Sequence, residues 1–283
     1  MSGPSAKVIA DSIFEGNRLI TLEIELHRFV LPEFNTHRSP SRNFQSSRAV
    51  PALQMIEQVR NNPALPVHWG LNQPGMVADN EVEGYTKQQS ILRWKWAAEQ
   101  AAECAEALNA AGVHKQVVNR LLEPFMWTKG VVTATFNDWQ AFLKLRLHKD
   151  AQPEIKALAC EIAKALLASR PVEKKSGEWH LPYVENLENS IEDCIKISAS
   201  CCGQVSYRKL DDSLDKAIKI YDMLNLPKGG VYPEDPPHFS PTEHQVKFEH
   251  GACKSLSGNF HKFGFIQYRK ALELGIEKEV IGE

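Results

Sequence analysis

The residues best able to do chemistry lie in one run, Thr36-His37-Arg38-Ser39-Pro40-Ser41-Arg42-Asn43-Phe44-Gln45-Ser46-Ser47-Arg48, with three arginines, one histidine, one asparagine and four serines in thirteen residues. Guanidinium forks and hydroxyls satisfy phosphate oxygens, and serine-rich turns leave backbone N–H groups free. The run therefore suits a phosphorylated ligand better than a hydrophobic core. A second basic and aromatic segment, Gly258-Asn259-Phe260-His261-Lys262-Phe263-Gly264-Phe265-Ile266-Gln267-Tyr268-Arg269-Lys270, could stack on a ring or bind phosphate, or simply pack. The six cysteines, Cys104, Cys160, Cys194, Cys201, Cys202 and Cys253, contain no C-x-x-C and no Cys/His spacing suited to zinc. Four of them lie in helical-looking sequence, where small core residues are the better reading than a redox role.

The elements that must position these groups follow from periodicity. Val8 to Asp11 and Leu19 to His27 read as strands joined through Glu15-Gly16-Asn17. In the second, Ile20, Leu22, Ile24 and Leu26 alternate with Thr21, Glu23, Glu25 and His27, the pattern of a sheet with one covered face. Pro32 suits the first turn of a short helix that leads into the run. Ala52 to Arg60 predicts a helix, followed by a Pro/Gly/Asn-rich loop from Asn61 to Met76 that is either functional or a surface excursion packed by Trp69. Thr86 to Ala111 predicts a long helix, His114 to Leu122 one that stops before Pro124, and Val131 to Phe136 a strand. Asn137 or Asp138 is the expected cap of a helix running to Arg146, and Ala151 to Ala168 continues as an amphipathic helix. Pro171 to Gly177 reads as a linker or exposed loop. Leu187 to Ser200 and Leu210 to Leu224 read as helices, and a last helix starts near Gln267.

The length of 283 residues allows one large domain or two small ones, and 43% hydrophobic with 24% charged residues is ordinary for a soluble globular chain. A net charge of −2 argues against a generic binder of nucleic acid polymers. No run approaches the roughly 18 apolar residues of a membrane span, and the N-terminus lacks a signal-peptide h-region, so a cytoplasmic protein is expected.

His37-Arg38, seven residues, then Ser46, with Ser41, Asn43 and Arg48 in place, resembles the signature of flavin-dependent thymidylate synthases, written R-H-R, seven residues, S. Phe142-Leu143-Lys144-Leu145-Arg146, with Ala151-Gln152-Pro153-Glu154-Ile155, resembles the family's F-L-x-L-R…A-Q-x-E-I pair, and Arg120 another family arginine. Cys202-Gly203-Gln204-Val205-Ser206-Tyr207 and His238-Phe239-Ser240-Pro241-Thr242-Glu243-His244 resemble the A-R-V-S and G-H-x-S/T-P-F-E-H segments, which usually precede the signature but here follow it. The resemblance thus implies an α+β fold, a mixed sheet flanked by a helical bundle in circularly permuted topology. It would be a single catalytic domain, with residues 1–170 carrying the signature and helical region and residues 178–283 the segment normally N-terminal plus an extension.

The resemblance also implies the chemistry. A one-carbon unit would pass from 5,10-methylenetetrahydrofolate to C5 of dUMP, giving dTMP, with FAD as cofactor and NADPH as reductant. His37, Arg38, Asn43, Asn137, Ser206, His238 and Ser240 would contact the flavin. Ser46, Ser47 and Arg48 would cradle the nucleotide phosphate, supported by Arg120, Arg146 and Glu33, with Arg146 and Ser46 closest to the chemistry. A homotetramer is the family expectation. Local readings stand beside these: Arg146 as a solvated helix arginine, and Ser240-Pro241 with Glu243 as a capping box. The chain departs from the family pattern at Thr36, where the first arginine is expected, at Phe44 in place of glutamate, and at Glu33 in place of glutamine. These departures keep two alternatives open: a relative that hydroxymethylates or otherwise modifies dUMP or dCMP, and a flavin- or nucleotide-binding protein without catalysis.

Overall fold

Two strands close on a two-residue turn because Glu15 and Gly16 both take positive φ, +46° and +75°, as a tight right-twisting hairpin requires. They are β1 (Ser5–Phe14), longer than the sequence suggests at both ends, and β2 (Asn17–His27), longer at its turn end. The computed structural model describes residues 3–185, 188–206, 211–225 and 240–282. β3 (Ser41–Phe44), β4 (Trp127–Thr135) and β5 (Val172–Glu173) complete a five-stranded sheet of order β3-β4-β2-β1-β5. All pairs are antiparallel except β1 with β5. The expected linker at Pro171 to Gly177 is therefore corrected in part, because Val172 and Glu173 pair with Ser12 and Ile13 as an edge strand.

The even-numbered residues of β2 build the main core. Ile20, Leu22, Ile24 and Leu26 are each at most 1% exposed and pack with Trp139 and Phe142 of α5 (Phe136–Arg146) and with Ile155, Leu158 and Ile162 of α6 (Pro153–Ala168). Burial of each such side chain stabilises the fold by about 1.5–3 kcal/mol. Thr135 caps α5, its Oγ1 accepting from the Asp138 N–H at 3.3 Å, so the cap falls two residues before the expected Asn137. A threonine at the end of a β-prone run serves both strand and cap.

The odd face of β2 is covered as well, which corrects the expectation of one covered face. Leu19 lies in a cluster with Phe14, Val246, Phe248, Phe260 and Phe265. The last four belong to the C-terminal third, where β6 (Trp179–His180), β7 (Val246–Phe248) and β8 (Phe265–Gln267) form a small antiparallel sheet. Thr21, polar and therefore readable as solvent-facing, instead bonds His180 at 2.8 Å and Thr133 at 2.6 Å. The same third contains α7 (Ile191–Gly203), α8 (Leu214–Asn225), α9 (Tyr268–Leu274) and α10 (Glu277–Ile281).

A short α1 (Leu31–Phe34) starts at Leu31-Pro32 and leads into the chemistry-bearing run. α2 (Ala52–Asn61), α3 (Gly84–Ala110) and the turn α4 (Lys115–Val118) make a separate helical layer around Met55, Ala98, Ala102, Ala105 and Leu122. The helix expected over His114 to Leu122 changes to a 3₁₀ turn, Asn119–Phe125, that takes Pro124 inside it. The loop after α2 returns to the body through Trp69, whose ring meets Trp94 edge-on at 6.1 Å, in favour of the packed excursion. Cys194, Cys201 and Cys202 are buried as expected, whereas Cys104 and Cys160 lie on exposed helix faces. Among the described residues no helix is long and apolar enough to cross a membrane.

Candidate functional site

The run Thr36 to Arg48 wraps around one of its own guanidinium groups. Arg42 donates to the carbonyls of His37 at 2.5 Å, Pro40 at 3.3 Å and Asn35 at 3.2 Å. Backbone oxygens that a loop would otherwise leave to water are thereby satisfied from within. The loop stands between α1 and β3, and its position is fixed at both ends.

Arg146, at the last turn of α5, reaches the start of this loop. Its Nε donates to His37 Nε2 at 2.8 Å, Nη1 pairs with the Glu33 carboxylate, and Nη2 donates to Thr36 Oγ1 at 3.3 Å. Arginine has only donors, so His37 accepts at Nε2 and holds its proton at Nδ1. Burial, then the charges of Arg146 and Arg42, push the His37 imidazole down to about 4. It is neutral at pH 7. The ring is held edge-on to Phe142, with centroids 4.8 Å apart. His37, Glu33 and Arg146 are thus brought together, and Thr36 accepts a hydrogen bond where a second guanidinium would crowd the first.

Phe44 leans away from this group. Its ring meets Phe34 edge-on at 5.4 Å and lies over Gly130, the residue it faces across β3 and β4. A Cβ at Gly130 would come within 2.3 Å of the Phe44 ring, so only glycine permits the ring that position.

Ser46, Ser47 and Arg48 follow the C-terminal end of β3. Ser47 is buried, its Oγ donates to Glu123 at 3.1 Å, and Asn119 donates to the carbonyls of Ser47 at 2.6 Å and Val50 at 3.0 Å. Glu123 also pairs with Arg28 at 3.7 Å. A cavity of about 480 Å³ opens beside Arg28, Glu123 and Pro124. Arg48 and Arg120 are exposed, and Ser46 is half-buried. Asn137 is exposed in the first turn of α5, about 13 Å along the helix from Arg146 at 1.5 Å per residue, so the chain does not bring it to this group.

Asn43 ties β3 to the C-terminal third. Its Nδ2 donates to the Cys202 carbonyl at 3.1 Å and its Oδ1 accepts from Ser240 Oγ at 2.6 Å. One layer deeper, His244 Nδ1 and Thr133 share a hydrogen bond of 2.8 Å. β2 meets the segment after His244 through Leu19, which packs against Val246 and Phe248. Ser206 closes a 3₁₀ turn with Gln204 and Val205, and His238 lies outside the described residues.

A cleft of about 410 Å³ opens where the run meets this third, lined by Arg38, Arg42, Ser240, Glu243, Asn259 and Gln267 among others. Arg38 and Ser240 share it. Asn259 and Gln267 are missed in the sequence as clamps on the run. Their one signal is that they are amides in an otherwise aromatic and glycine-rich segment. A larger cavity of about 790 Å³ lies beside Lys7, Glu23, Lys129 and Tyr183, with Gln204 and Val205 of the A-R-V-S-like segment also in its lining.

A model of the family described as thymidylate synthase complementing protein matches residues 9–172. No curated protein matches the chain significantly. Similar solved structures include a UMP/dUMP methylase PolB from Streptomyces cacaoi bound with 5-Br dUMP, at 18% identity and a TM-score of 0.48, covering 59% of this chain and 90% of that one. The same methylase bound with 5-Br UMP aligns at 19% identity and a TM-score of 0.48, over 59% and 89% of the two chains.

Proposed function

The chain belongs to the thymidylate synthase complementing protein family, and from that premise we propose that it transfers a one-carbon unit to C5 of dUMP. The donor would be 5,10-methylenetetrahydrofolate, the reductant NADPH and the product dTMP. The observation that carries the reading is the Arg146 constellation, because two segments far apart in sequence that both resemble family motifs meet there side chain to side chain.

Arg146 commits three of its five N–H donors to His37, Glu33 and Thr36, which leaves two for a ligand. Those two would hold the pyrimidine nucleotide, and the ion pair to Glu33 fixes their direction. His37, neutral and locked in one tautomer, presents Nδ1–H as a donor. The cleft at Arg38 and Ser240 fits a phosphorylated cofactor, since among the described residues Arg38 has no hydrogen-bond or ion-pair partner and Arg42 donates only to backbone carbonyls. FAD bound there would supply the redox step that side chains cannot. Ser46 and Arg48, with Arg120, would receive the nucleotide phosphate of a neighbouring subunit in a homotetramer, an arrangement supported by the exposure of both arginines. Residues 178–283 would supply the segment that normally precedes the signature, within one catalytic domain. The bonds from Asn43 to Cys202 and Ser240 support that order.

The test is tritium release from C5-labelled dUMP by protein loaded with FAD. Labelled dCMP is the second substrate, because Phe44 offers a hydrocarbon ring where the family usually has a carboxylate. A yellow protein whose flavin spectrum shifts on adding dUMP, with release from dUMP, is the expected result. Release from dCMP alone would move the assignment to a cytosine-modifying relative. Release from neither, with flavin bound, would leave a nucleotide-binding protein without catalysis.

A further inference from the structure

Residues 258–270 lie outside the segment that matches the family model, yet they close on the chemistry-bearing run. Asn259 accepts from Ser41 Oγ at 2.9 Å and donates to the Ser39 carbonyl. Gln267 Nε2 has three acceptors for its two protons, Ser41 Oγ at 3.2 Å, the Glu243 carbonyl at 2.9 Å and Asn259 Oδ1 at 3.0 Å, so one proton is shared. Gly258 makes room for this clamp: its φ is +57°, and a Cβ there would lie 2.0 Å from Gln267 Oε1. Ser39-Pro40-Ser41 is therefore held fast, and with it the backbone of Arg38 on one side and Arg42 on the other.

The clamp brings Arg269 and Lys270 into the same cleft as those two arginines. The lining then has four cationic side chains against two carboxylates, Glu243 and Glu273, in a protein whose net charge is −2. Glu273 is shared by Arg269 at 2.9 Å and Lys270 at 2.7 Å, so one carboxylate serves two cations. Packing alone accounts for Asn259 and Gln267. It does not account for a surplus of positive charge gathered from two segments more than 220 residues apart around about 410 Å³ of space. That volume falls within the range of small-molecule sites.

We propose that residues 258–270 form the second wall of a diphosphate-binding cleft, in which Arg269 and Lys270 face Arg38 and Arg42 across a phosphorylated ligand. The inference rests on the reading above that the cleft takes a phosphorylated dinucleotide, and it adds the residues that recognise the diphosphate. Charge-assisted hydrogen bonds to phosphate oxygens are the strong ones, and losing one costs about tenfold or more in affinity.

The experiment is isothermal titration calorimetry of the full chain with inorganic pyrophosphate, ADP and FAD. Wild type is compared with Lys270→Gln, whose side chain is 39% exposed, and with Lys278→Gln as an exposed control outside the cleft. All three ligands should bind wild type and the control alike. Lys270→Gln should bind each about tenfold more weakly, at an unchanged melting temperature and with dUMP affinity within twofold. If Lys270→Gln binds FAD and pyrophosphate as tightly as wild type, the second wall is refuted while the flavin reading stands. If pyrophosphate and ADP bind through Lys270 but FAD does not bind, the cleft stands and the flavin reading fails. If wild type binds none of them, both fail.

Discussion

Lowering the pH from 7.5 to 5 should destabilise this protein through two histidines that the fold keeps neutral. His180 is 1% exposed, with Nδ1 bonded to Ser12 Oγ at 2.9 Å and Nε2 to Thr21 Oγ1 at 2.8 Å. His244 is 0% exposed, with Nδ1 bonded to Thr133 and Nε2 without a partner among the described residues. Burial pushes both imidazoles down to about 3, helped at His180 by the charge of Lys174 and by His244 itself. The unfolded chain takes up these protons near 6.5 while the folded chain refuses them, so the stability is fully present above pH 6.5 and is lost as the pH falls toward 3. At pH 5 the unfolded state has gained about 1.5 pH units per group, which at 1.36 kcal/mol per unit is about 2 kcal/mol each and about 4 kcal/mol together. Against a total stability on the order of 5–15 kcal/mol, that is a large fraction. Urea unfolding followed by circular dichroism at both pH values measures it. His27 and His37 are depressed too and add to the wild-type slope, so the readout is the difference between wild type and variant. His180→Gln should lose about 2 kcal/mol less than wild type between the two pH values, and His180→Gln with His244→Gln about 4 less. An identical pH dependence in wild type and the double variant would refute the claim that these buried rings carry the effect.

Arg146→Lys keeps the charge but cannot reach Glu33, His37 and Thr36 together; the chain should fold normally and lose about 10–100-fold in tritium release, as expected for charged hydrogen bonds of about 1.5–3 kcal/mol. Asn43→Ala unties β3 from Cys202 and Ser240, and urea unfolding should show about 1–3 kcal/mol of destabilisation together with weaker flavin binding. Gly130→Ala should displace the Phe44 ring at a cost of about 1–3 kcal/mol, and adding Phe44→Ala should recover part of that loss; no loss in the single variant would contradict the close approach.

Features set by neighbours in sequence were legible without the structure. The period of two over Leu19 to His27 set a strand and its core face, the Glu15-Gly16 turn set a hairpin, and the composition of Thr36 to Arg48 marked a polar, cationic run. The resemblance of Phe142 to Arg146 to a family motif paired that helix with the run before any distance was known. Details that depend on competition between local partners were missed: Thr135 took the cap from Asn137, and a 3₁₀ turn absorbed Pro124.

Only the tertiary structure decided what covers the odd face of β2. Thr21 and Glu23 look solvated in a period-two pattern, because polarity alone does not distinguish water from a buried hydrogen-bond partner. Here Thr21 meets His180 and Thr133, and Glu23 accepts from Tyr183 at 2.9 Å. The clamp on Ser39 to Ser41 joins residues separated by 218 to 226 positions, a contact to which no local propensity contributes. The sequence alone established the chemical character of the run and its family likeness. Which amides hold it, which cations face it and which of its serines are already satisfied depend on long-range packing, since the free energy of those contacts exists only once the two ends of the chain are together.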